Sequence, residues 1–151
     1  MCVITFITAY SSRFYLCNHQ YRYMYYTTDH EWIDFQGSVA YVGVCDFKLT
    51  GFRDIDNIVF SDTGDFKRKG DTIATITYND FSITINMPTD GRLIRINESL
   101  LTKPQSTTLL KNAENSSGWV ALISPSQPYE RKGLLLSPQY KMNNKSKHAK
   151  S

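Results

Sequence analysis

The chain has 151 residues, 41% hydrophobic and 21% charged, an ordinary balance for one domain large enough to bury a core. Its net charge of +3 sits at the ends: residues 1–28 and 131–151 hold eight of the 17 basic residues and none of the 14 acidic ones, which leaves the middle at −5. That distribution argues against a nucleic-acid-binding core. The three scattered cysteines (Cys2, Cys17, Cys45) argue against a disulfide framework or a zinc site, and the lack of an 18-residue apolar run argues against a membrane-spanning helix.

Residues 1–25 contain no acid. They are compatible with a leader, as in an acid-poor mitochondrial presequence, or with a start codon placed too early, translation then beginning at Met24. The five tyrosines from Tyr15 to Tyr26 favour the second reading, and an added β-strand is a third. The expected compartment is the cytoplasm, or the mitochondrion if residues 1–25 are a transit peptide.

From Tyr26 the chain takes on regular patterning. Trp32–Phe35 and Ser38–Val44 are short β-rich runs around Gln36-Gly37, a hairpin signal. Asp46–Ile55 spaces Phe47, Leu49, Phe52 and Ile55 near a helical period, which predicts a short helix there. Asn57–Phe60 reads as a strand, followed by turns at Thr63–Asp65 and Arg68–Asp71.

Next comes the most regular stretch. Ala74-Thr75-Ile76-Thr77-Tyr78 and Phe81-Ser82-Ile83-Thr84-Ile85 both alternate with period 2, and Asn79-Asp80 between them tolerates the positive φ of a two-residue turn. With that turn, Tyr78 faces Phe81, Thr77 faces Ser82, Ile76 faces Ile83 and Thr75 faces Thr84. A slip of one residue would set polar against apolar in every pair.

Pro88–Gly91 is a turn, Arg92–Ile96 a strand, Asn97–Leu101 a helical turn, Gln105–Ser117 a polar loop or short helix, and Gly118–Ile123 a last strand. After Pro125 the composition changes. Residues 125–151 read as a basic tail, disordered over Ser137–Ser151, with Gly133–Leu136 as one apolar patch able to pack back. Many short strands and little helix predict a mainly β sandwich or flattened barrel.

Tyr26-Thr27-Thr28-Asp29-His30-Glu31-Trp32-Ile33 resembles the opening of the glycine cleavage system H protein family, which reads Y-T-x-x-H-E-W. The resemblance continues through Val42-Gly43-Val44, Asp46-Phe47, Asp54-Ile55, Gly64-Asp65, Lys69-Gly70-Asp71, Pro88-x-x-Gly91, Asn97-Glu98-x-Leu100, Lys103-Pro104 and Gly118-Trp119. It implies a lipoyl-type barrel-sandwich hybrid, two packed antiparallel sheets with one or two short helices, over residues 26–124.

It also implies a non-enzymatic carrier. Family members hold lipoate in amide linkage on a lysine at the tip of the central hairpin, within an E-S-V-K-A-type sequence. The arm then moves between the decarboxylase, aminomethyltransferase and dihydrolipoyl dehydrogenase components. Counted back from Pro88, the family's glutamate falls at Thr77, its serine at Tyr78, its valine at Asn79 and its lysine at Asp80. No lysine lies between Lys69 and Lys103.

The expectation is therefore a chain without cofactor or enzymatic activity, retaining a binding or scaffold role toward glycine cleavage or lipoate-machinery proteins, with no nucleic acid or membrane partner. The alternatives are an interaction module outside glycine metabolism and a carrier modified at an atypical lysine such as Lys69. Tyr78, Asn79, Asp80 and Phe81, with His30 and Trp32, are the candidate partner-binding residues. For Asp80 the plainer reading is turn chemistry, and for Tyr78–Phe81 a cross-strand aromatic contact.

Overall fold

A computed structural model of the chain describes residues 24–114 and 116–149. Ten strands run through it: β1 (Tyr25–Tyr26), β2 (Glu31–Gln36), β3 (Val39–Val44), β4 (Asn57–Phe60), β5 (Phe66–Lys67), β6 (Thr72–Tyr78), β7 (Phe81–Asn86), β8 (Gly91–Ile96), β9 (Ala121–Pro125) and β10 (Leu135–Leu136). Two helices join them, α1 (Lys103–Asn112) and α2 (Ser137–Ala149). One sheet has seven strands in the order β10-β1-β2-β3-β9-β8-β5, and the other three, β4-β6-β7. Every pairing is antiparallel. This is the mainly β, two-sheet sandwich the sequence predicts.

The core lies between the sheets. Ile58, Ile73, Ile76 and Ile85 from the smaller sheet meet Ile33, Val42, Leu93 and Ile123 from the larger one. Ala74, Ile76 and Ile85 of the two period-2 runs are buried on the inward face, because successive strand residues point to opposite faces. Trp32 is wholly buried and lies across Gly43, its partner on β3. A Cβ on Gly43 would come within 2.2 Å of the indole, so the ring fits only over a glycine. The indole Nε1 donates to the Ala113 carbonyl (2.6 Å), tying the end of α1 to β2.

Glu31, beside Trp32 and only 1% exposed, is held by three donors. Its Oε1 accepts from the Thr27 hydroxyl (2.8 Å), and its Oε2 from the Lys48 ammonium (2.5 Å) and the Asn86 N–H (3.2 Å). A buried carboxylate needs this much satisfaction. It fastens the end of β7 to β2.

Three local expectations change. The helix expected over Asp46–Ile55 is a single 3₁₀ turn, Asp46–Leu49, because Thr50 leaves the helical region (ψ 127) and Gly51 takes φ +94. The last strand begins at Ala121, since Gly118 sits in a turn where a Cβ would lie 2.1 Å from the Asn112 carbonyl.

The third change concerns the tail. As expected of the apolar patch Gly133–Leu136, the segment after Pro125 packs back: β10 pairs with β1, and the Arg131 guanidinium lies 3.5 Å over the Phe35 ring. Ser137–Ala149, expected to be disordered, is α2. Its Tyr140 is 6% exposed and stacks on Tyr26 with ring centroids 4.7 Å apart. A composition almost free of aliphatic residues concealed one aromatic anchor. β1 also starts at Tyr25, one residue before the boundary drawn at 26. Residues 1–23, where the leader and early-start readings mostly fall, lie outside the described residues.

Candidate functional site: the tip of the central hairpin

The β6–β7 register is the expected one: Tyr78 pairs with Phe81, Thr77 with Ser82, Ile76 with Ile83 and Thr75 with Thr84. Asn79 and Asp80 form the turn, and Asn79 takes φ +52, a conformation asparagine adopts more readily than most residues. Asp56, just before β4, buttresses it. The Asp56 carboxylate accepts the Asn79 N–H (2.7 Å), and the Asp56 N–H donates to the Thr77 carbonyl (2.8 Å). The turn is thus held from the neighbouring strand as well as from within.

Three aromatic rings gather beneath it. Phe52, in the loop after the 3₁₀ turn, has its ring centroid 6.1 Å from that of Tyr78 and 6.3 Å from that of Phe81, spacings of ordinary aromatic contact. Phe81 remains 57% exposed, and Asn79 and Asp80 are exposed. The tip therefore presents a carboxylate and an amide above a partly open aromatic platform.

Sequence reasoning missed Phe52 and Asp56 here. Its spacing places Phe52 in a helix, and the signal for Asp56 is its position immediately before the strand that pairs with β6.

His30 and Trp32 do not join this group. Trp32 is fully buried, so it is withdrawn as a partner-binding residue. His30 takes φ +70, its Nδ1 lies 2.7 Å from the Tyr140 hydroxyl, and its ring lies 4.3 Å from that of Phe47. Its neighbour Glu31 bonds Asn86, at the far end of β7 from the tip. Around His30 lies a second apolar cluster of Tyr26, Trp32, Cys45 and Tyr140. Burial pushes the Cys45 thiol up to about 12 and raises the Tyr26 and Tyr140 hydroxyls as well. Neutral, enclosed groups of this kind are structural rather than nucleophilic.

The chemistry of the tip does not fit the lipoyl group that the family resemblance implies. Amide linkage needs a primary amine, and the turn offers the Asn79 carboxamide and the Asp80 carboxylate. Lys69, the atypical lysine named above, stands away from the turn. Its backbone N–H donates to Asp90 (2.7 Å) and its ammonium lies beside Gly133, at the start of β6. At about 3.3 Å per residue, the length of β6 puts it on the order of 20 Å from the turn.

Comparison with known proteins covers most of the described region. The family model for the glycine cleavage H-protein matches residues 24–147. A probable glycine cleavage system H protein of Aeropyrum pernix is 30% identical over 115 residues, 76% of this chain and 78% of that protein. The glycine cleavage system H protein of Leptospira biflexa is 32% identical over 117 residues, 78% of this chain and 87% of that protein. In fold, the chain superposes on the crystal structure of a Mycobacterium marinum glycine cleavage system H protein with a TM-score of 0.68 at 20% identity, covering 81% of this chain and 96% of that one. With its family match running from the first described strand into α2, the chain belongs to the glycine cleavage H-protein family.

Proposed function

We propose that this chain is an H-protein-family member without lipoyl-carrier function, acting as a non-catalytic binding partner of glycine cleavage or lipoate-machinery proteins. One observation carries this reading: the turn at which the family resemblance calls for an acylatable amine ends in Asn79-Asp80, while the hairpin beneath it keeps its register. A scaffold retained without its attachment atom favours recognition of the fold over transport by an arm. The exposed Phe81 and Asp80, with Tyr78 and Asn79, supply the surface for that recognition.

Titration calorimetry against the aminomethyltransferase component tests the binding role. Saturable binding that weakens at least tenfold in Phe81→Ala is expected, since an exposed aromatic at an interface centre typically contributes about 1.4 kcal/mol or more. No binding to this or the other glycine cleavage components would favour an interaction module outside glycine metabolism.

A further inference from the structure

β7 is an edge strand. It pairs only with β6, and among the described residues no strand lies along its other side. A two-residue turn makes Tyr78–Phe81 the closing hydrogen-bonded pair, so Ile76–Ile83 and Ala74–Ile85 are bonded pairs while Thr77–Ser82 and Thr75–Thr84 are not. The opposite side of β6 follows the same alternation: the Ile73 and Thr77 carbonyls accept from Ser61 and Asp56, toward β4. On β7, the peptide groups of Ser82 and Thr84 therefore point outward. The open run ends at Asn86, whose N–H is held by Glu31.

Exposed edges are normally blunted by charge, proline or a bulge. Phe81-Ser82-Ile83-Thr84-Ile85-Asn86 has neither charge nor proline, and the irregularity in its pairing lies at the far end, opposite Thr72–Ala74.

We propose that a second copy of this chain docks on that edge, pairing β7 with β7 antiparallel about a dyad through Ile83. Ser82 then faces Thr84 of the second copy, Phe81 faces Ile85 and Ile83 faces itself, polar on polar and apolar on apolar. Ser82 and Thr84 are also the residues whose peptide groups point out, so each side of the dyad closes a reciprocal pair of N–H···O=C bonds. A one-residue shift sets outward groups against inward ones. Charge agrees: Asp80, the only charge in the turn, stands opposite Asn86 of the second copy, and no like charges are opposed. Contact through one short edge falls below the roughly 1,200 Å² of a standard interface, so the dimer is weak and dissociates on dilution.

Sedimentation velocity of the full chain from about 10 µM to about 1 mM spans the range where such an interface forms. The average mass should rise toward that of two chains with concentration. Thr84→Pro, which removes an outward N–H and no bond to β6, should weaken association at least tenfold. A second variant keeps the test independent of that proline's effect on folding. Ile83→Cys, with Cys2 and Cys17 changed to serine, should oxidise to a linked dimer, because a non-bonded antiparallel pair brings its Cα atoms to about 4.5 Å. Ser82→Cys in the same background should not. A monomer at every concentration would overturn the proposal. So would a dimer that Ile83→Cys fails to link.

Discussion

At Glu31 and Gly43 single residues set what the fold tolerates. Lys48 is 15% exposed and supplies the one positive charge bonded to the buried Glu31 carboxylate. Lys48→Met leaves that charge with only the Thr27 hydroxyl and a backbone N–H, and should destabilise the protein by about 3 kcal/mol in urea unfolding. Adding Glu31→Gln should recover part of the loss. If the single and double variants unfold alike, the pair does not act as described. Gly43→Ala forces a methyl into the Trp32 ring and should cost about 1–3 kcal/mol, read in the same experiment. At the tip, Asp80→Lys restores an amine but leaves Thr77 and Tyr78 in place of the family's glutamate and serine. It should be lipoylated poorly by a lipoate ligase, and efficient modification of that variant would show that the flanking residues do not matter.

Among the elements, α2 shows where composition misleads. It docks through Tyr140, which meets Tyr26 and His30. Tyr140→Ala should therefore release α2 and cost about 3 kcal/mol, with faster amide exchange confined to α2, β1 and β10. The same cluster fixes a pH dependence. The folded-state pKa values of Cys45, Tyr26 and Tyr140 all lie above their ordinary values of 9.0 and 10.0. The unfolded chain therefore gives up these protons first. Stability should be complete below pH 9 and fall as pH rises toward 12. Urea midpoints at pH 8 and pH 10.5 measure the loss, and Cys45→Ala should reduce it, leaving the part due to the two tyrosines.

The β6–β7 hairpin was legible in the sequence because period-2 alternation and turn residues act locally, so register follows from neighbours in the chain. Asp56 against Asn79, Phe52 beneath the tip and Tyr140 against Tyr26 were not. Those contacts join positions far apart in sequence, each through a single side chain that leaves no periodic trace.

For the whole molecule, the two sheets are those of an H-protein-family domain, and the family match extends through the region that composition set aside as a tail. A fold held by inward-facing isoleucines, a satisfied buried carboxylate and a tryptophan over glycine does not depend on what stands at an exposed turn. On the proposal above, carrier chemistry is separable from stability: the residues that hold the core are not those at the tip. Intact-mass spectrometry of the full chain co-expressed with a lipoate ligase and supplied with lipoate tests this most directly. The mass of the unmodified chain is expected, with a known H protein modified in the same cells. A gain of one lipoyl group, on Lys69 or any other lysine, would contradict the account.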